Sequence, residues 1–139
     1  MTTARDIIVG AYQRLGLLPL GSDLDPDRTA AGLAAYNDML NAWAADGIFP
    51  GGPSAPSSGS ALSYSLDDAF PFAPQFVEGA KALLAVELAP QSGIEPLAST
   101  QRHAEKAYAA LLAYHVIAPA ADQDTGLTWM PSLRRYGLR

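Results

Sequence analysis

His103, His115 and the adjacent pair Asp67 and Asp68 are the side chains of this sequence best suited to moving a proton. Histidine ordinarily titrates near neutrality, and two carboxylates held several ångströms apart are what glycoside hydrolysis uses. Spacing argues against both. The histidines lie twelve positions apart on one predicted helix, too far for a single ligand set, and neither has an H-E-x-x-H context. His103 therefore reads as a solvated surface residue and His115 as a half-buried one that finds a hydrogen bond near the helix end. Adjacent residues rarely face one another, so Asp67 and Asp68 are expected just ahead of a helix near Pro74, or as caps of a brief turn. The enzymatic alternative is a small helical hydrolase of the bacterial cell wall that uses Asp67 or Asp68 with Glu78. Ser57, Ser58 and Ser60 lack a nucleophile elbow. The run "GGPSAPSSG" lacks the Gly-Lys-Ser/Thr ending of a phosphate loop. The residues thus point to a protein without catalytic, cofactor or metal sites.

A second pattern is chemical in a different sense. "LTWMPSLRRYGLR", Leu127 to Arg139, sets Leu127, Trp129, Met130, Leu133 and Tyr136 beside Arg134, Arg135 and Arg139. It follows a helix breaker, Pro119, and the polar run "ADQDTG", so no helical face accounts for Trp129. Aromatic residues with arginine are enriched at interaction hot spots. The three arginines give this stretch +3 of a formal net charge of −5, which leaves −8 on the remainder. A cationic, apolar segment on an acidic chain either folds back onto its own domain or is buried in a partner, and burial in a partner accounts for both features. These eight residues are the candidate partner-binding set.

The elements that must position such a segment are helices. The chain has 139 residues and no cysteine, enough for one domain with a real core and no disulfide framework. Its sequence pI of about 4.7 is opposite to the footprint of sequence-reading DNA binders. "MTTARDIIVGAYQR" has no basic run followed by a long apolar run, and no segment has the apolar length of a membrane span, so a soluble protein is expected.

Thr3 and Asp6 form a helix-start pattern, with Ile8, Ala11, Tyr12 and Leu15 at helical spacing and Gly16 as a stop. Asp25 before Pro26 caps a second, longer helix on which Leu33, Tyr36, Asn37, Leu40, Trp43 and Ala44 share a face until Asp46 and Gly47. Trp43 is expected in the core. A Gly/Pro/Ser-rich loop, 48–73, follows, and within it only Ala61 to Leu66 alternates enough to suggest a short strand or hairpin arm. Phe49 to Ser60 is expected to be ordered mainly by partners. Pro74 restarts helical spacing through Phe76, Ala80, Leu83, Leu84 and Leu88 up to "PQSG", and a fourth helix from near Pro96 or Ser99 carries Ala104, Ala107, Tyr108, Leu111, Leu112 and His115. The predicted fold is an all-α antiparallel bundle of about four helices over residues 1–118, with an extended C-terminal interaction arm at 119–139.

Two long stretches also resemble a known family. "TARDIIVGAYQRLGLLPLGSDLDPDRTAAGLAAYNDMLNAWAADGI", Thr3 to Ile48, and "FPFAPQFVEGAKALLAVELAPQSGIEPLASTQRHAEKAYAALLA", Phe70 to Ala113, resemble the two helical pairs of the head-to-tail adaptor proteins of tailed bacteriophages. The likeness is to the tail accessory factors of short-tailed phages, which stabilise packaged DNA. It rests on packing patterns rather than catalytic motifs, and the Gly/Pro/Ser-rich loop departs from the strand-bearing insertion of that family. The resemblance implies a structural virion protein at the head–tail junction, assembled in the host cytoplasm. It further implies a homo-oligomeric ring, commonly dodecameric, with the portal protein and a downstream tail component as partners. DNA would pass through the ring without sequence-specific contacts, and an acidic body suits that role because a basic lumen would hold phosphates.

Overall fold

Thr3 and Asp6 start the first helix by bonding each other's backbone. The Asp6 carboxylate accepts the Thr3 N–H at 2.8 Å and the Thr3 hydroxyl accepts the Asp6 N–H at 3.4 Å, a capping box that satisfies two otherwise orphaned donors. A computed structural model describes residues 1–50 and 61–115 of the protein. In it, α1 spans Ala4–Arg14, and Gly16 turns the chain at φ 72°. Asp25 caps α2, Pro26–Ala45, by accepting the Arg28 N–H at 2.8 Å, with Pro26 where a missing donor does no harm. Asp46 and Gly47, the latter at φ 85°, end α2 as the sequence predicts. A single 3-10 turn, Pro74–Phe76, leads into α3, Val77–Ser92, and α4 follows at Ala98–His115. α3 continues through Pro90, which has no N–H to offer the Val86 carbonyl one turn back, and stops where Gly93 takes φ 66°. The fold is all-α.

Helix direction follows from which residues meet. Gly32 of α2 lies against Ile8 of α1, and the Tyr12 hydroxyl donates to the Arg28 carbonyl at 3.1 Å, so α1 and α2 run antiparallel. Gly10 lies against Lys81 while Arg14 reaches Glu78, which makes α1 and α3 antiparallel as well. α3 packs against each of the other three helices. Its buried residues, Gly79, Ala80, Ala82, Leu84, Ala85, Leu88 and Ala89, encircle most of its surface, as expected of a helix covered on several sides. The small size of Gly79 and the four alanines lets the neighbours come close.

Residues 61–73 correct the sequence reading. Ala61 to Leu66 forms no hairpin arm, and among the described residues the only β pairing is an isolated bridge between Thr3 and Ala69. Exposure still alternates along this stretch, with Leu62, Tyr64 and Leu66 turned towards the core. Two α2 asparagines stand in for a partner strand. The Asn41 amide donates to the Leu62 carbonyl at 2.9 Å and accepts the Leu62 N–H at 2.7 Å; Asn37 does the same for Tyr64 at 3.2 and 2.8 Å. Four helical residues separate the two asparagines, about 6 Å of rise, and two extended residues cover ~6.8 Å, so the spacings nearly match. Beyond this strap the chain inserts Phe70 and Phe72, and Phe72 packs edge-on against Trp43 with ring centroids 5.5 Å apart. The stretch read as a loop therefore supplies part of the core.

Candidate interaction site

The eight candidate partner-binding residues, Leu127, Trp129, Met130, Leu133, Arg134, Arg135, Tyr136 and Arg139, lie outside the described residues, as do 51–60 of the loop. The other candidates can be placed. Asp68 caps a turn, its carboxylate accepting the Ser65 N–H at 2.6 Å, and its carbonyl accepts the Ala4 N–H at 2.9 Å at the start of α1. Asp67 beside it is exposed. Glu78 sits at the other end of α1, bound by Arg14 at 2.7 Å and Lys81 at 2.8 Å. Hydrogen bonds from Lys81 and Arg14 hold the Glu78 carboxyl below its ordinary pKa despite some burial. Eleven helical residues span about 16 Å, well beyond the roughly 5 to 9.5 Å between paired glycosidase carboxylates. The structure does not bring Glu78 together with Asp67 or Asp68.

The histidines part as their spacing implies. His103 is exposed on α4, in a shallow cleft with Lys106, Glu78 and the Gly79–Ala107 crossing. His115 is buried among Phe72, Phe76 and Tyr114, with Nδ1 3.1 Å from the Leu111 carbonyl one turn back. Among the described residues, no group of three or more His, Asp or Glu could hold a metal ion, and no helix is long and apolar enough to cross a membrane.

What the structure does assemble is a groove of about 500 Å³ between α2 and α4, floored by α3. Asp38, Met39, Ala42 and Trp43 line it from α2, Asp46 from the cap that ends α2, Leu83 and Glu87 from α3, and Tyr108 from α4. The Tyr108 hydroxyl donates to the Asp46 carboxylate and so joins the two walls; that bond, with some burial, raises the tyrosine pKa. Among the described residues, Asp38 and Glu87 have no ion-pair partner. Among the described residues, no cation lines the groove. Two other clefts differ in this respect: one contains Lys106, another Arg14 and Lys81.

Periodicity alone did not single out Asp38 or Glu87, because each reads as a solvated charge on an amphipathic helix. Asn37 and Asn41 carried a usable signal, two amides four residues apart beside an apolar stripe. No protein-family model and no curated protein matches this chain.

Proposed function

We propose that this chain is a structural virion protein, a head-to-tail adaptor that forms a ring on a portal, links capsid to tail and helps retain packaged DNA. The observation that carries the reading is the resemblance of Thr3 to Ile48 and Phe70 to Ala113 to the two helical pairs of such adaptors. Consistent with it, these stretches fold as α1 with α2 and α3 with α4, joined by the asparagine-held strap. The acidic body and the cationic, aromatic Leu127–Arg139 segment also fit, since opposite charge on two parts of one chain favours docking between copies or onto an acidic partner. In this role the portal protein, further copies of the chain and the next tail component are the partners, and the head–tail junction of the virion is the location.

Deleting residues 127–139 tests the reading. Helix content and melting temperature should stay close to those of the full chain, while portal attachment and ring-sized mass are lost. Within the full chain, Trp129→Ala should weaken assembly by about 2 kcal/mol or more, as a hot-spot aromatic does. A truncated chain that still attaches to the portal with unchanged affinity would sink the proposal.

A further inference from the structure

The groove between α2 and α4 combines three carboxylates, Asp38, Asp46 and Glu87, with apolar Ala42 and Leu83, and among the described residues no cation lines it. The sequence holds one segment of opposite character. Leu127–Arg139 has three arginines, no acid, and Leu127, Trp129, Met130, Leu133 and Tyr136 among them. We propose that the groove receives the Leu127–Arg139 segment of a second copy of the chain. Apolar side chains cover the exposed Ala42 and the half-buried Leu83, and guanidinium groups pair with Asp38 and Glu87, which have no ion-pair partner among the described residues. Asp46 is already engaged by Tyr108 and serves as a second acceptor at the joined walls.

Reach favours the exchange. The thirteen residues from 116 to 128 can span up to about 45 Å, against a diameter of roughly 36 Å for a compact sphere with a radius of gyration of ~14 Å. A groove on one face and a segment donated from elsewhere make a heterologous contact, which closes into a ring when the rotation between copies allows it. The inference rests on the adaptor reading for its occupant, because that reading places copies side by side. It adds the acceptor surface.

The absence of cysteine from the sequence permits a direct test on the full chain. A chain carrying Ala42→Cys, on the exposed groove wall, is mixed under mild oxidation with one carrying Ser132→Cys, inside the donated segment. The expected product is a disulfide-linked pair at twice the 14.6 kDa chain mass. Adding Glu87→Lys to the groove copy should lower its yield about tenfold, and raising salt should lower it further. Ser22→Cys, in the exposed turn between α1 and α2, replaces Ala42→Cys as the control and should give little product.

Equal yields from the groove and control positions would overturn the proposal. So would a linked product that forms only inside one chain carrying both Ala42→Cys and Ser132→Cys, which would put the segment in its own groove. Portal attachment measured in parallel separates the two readings. Attachment that depends on residues 127–139 without groove cross-linking leaves the adaptor role standing and removes this inference. Cross-linking without attachment does the reverse.

Discussion

α1 and α3 press against their partners at glycines, whereas α2 and α4 flank α3 without closing on each other. At Gly32 a Cβ would lie 2.5 Å from Ile8 Cγ2, and at Gly79 it would lie 2.5 Å from Ala107 Cβ, so in each case the missing methyl is what lets two helices touch. The α2–α4 side carries Asp38, Asp46, Glu87 and Tyr108 instead and stays open as a groove. Charge follows the same division. The Glu78 carboxylate, beside the α1–α3 contact, is held by Arg14 and Lys81, while Asp38 and Glu87 have no ion-pair partner among the described residues. Small residues mark surfaces used up in folding, whereas the exposed acids beside apolar residues form the surface on which the proposed docking of a second copy rests.

Trp43 belongs to both regions and gives the strongest way to break the comparison. It is 3% exposed and packs edge-on against Phe72, yet it also borders the groove. Trp43→Ala should cost about 3 to 5 kcal/mol, because a large buried ring is lost and its cavity cannot fully collapse. Chemical denaturation checks this. A variant unfolding at the parent's midpoint would make Trp43 a surface anchor and extend the groove into what is described here as core.

The glycine crossings come next. Gly32→Ala forces a methyl onto the buried Ile8, whose β-branched side chain has few rotamers to escape into, and should destabilise by about 1 to 3 kcal/mol. At Gly10 the same change meets the Lys81 side chain, 2.5 Å from its Cδ. That chain is flexible, and alanine gains ~1 kcal/mol of helix propensity over glycine, so Gly10→Ala should lie within about 0.5 kcal/mol of the parent. Thermal melts of the two variants side by side are decisive. Equal losses would mean that backbone approach, rather than the identity of the facing side chain, sets the tolerance.

Helices were legible in the sequence because their signals are local. Thr3 with Asp6, Asp25 with Pro26, and Asp46 with Gly47 each act within one turn of chain, and the structure uses all three pairs as read. The spacing of Trp43 from Tyr36 and Leu40 puts it in the core, and all three are buried. The strap is not legible in the sequence because its partners are remote. Alternation at Ala61 to Leu66 implies an extended chain, but whether a strand or a helix supplies the hydrogen bonds depends on Asn37 and Asn41, more than twenty residues earlier. Phe70 and Phe72 were hidden among prolines for the same reason, since no period marks them although both are buried. The groove was illegible because it is made of what three helices leave unfilled, and each of its acids looks like ordinary solvated surface on its own helix.

The smallest expected effect concerns the charged cluster at the α1–α3 contact, and acid exposes it. Lys81 and Arg14 hold the folded-state pKa of Glu78 below its ordinary value of 4.5. A lowered carboxylate pKa means that the unfolded chain binds the proton more readily, so the stabilisation is fully present above about 4.5 and is lost as pH falls through the folded value. The Glu78 side chain is 60% exposed, and solvent screening keeps an ion pair of this kind to less than about 1 kcal/mol. Glu78→Gln should therefore be slightly less stable than the parent at pH ~6, and the gap should close near pH ~3. High salt at the upper pH should narrow it as well. Denaturation midpoints at the two pH values measure this directly. A gap that persists unchanged in acid would show that Glu78 acts through packing of its methylenes on α1, and the contrast between a neutralised contact and an uncompensated groove would then rest on the groove alone.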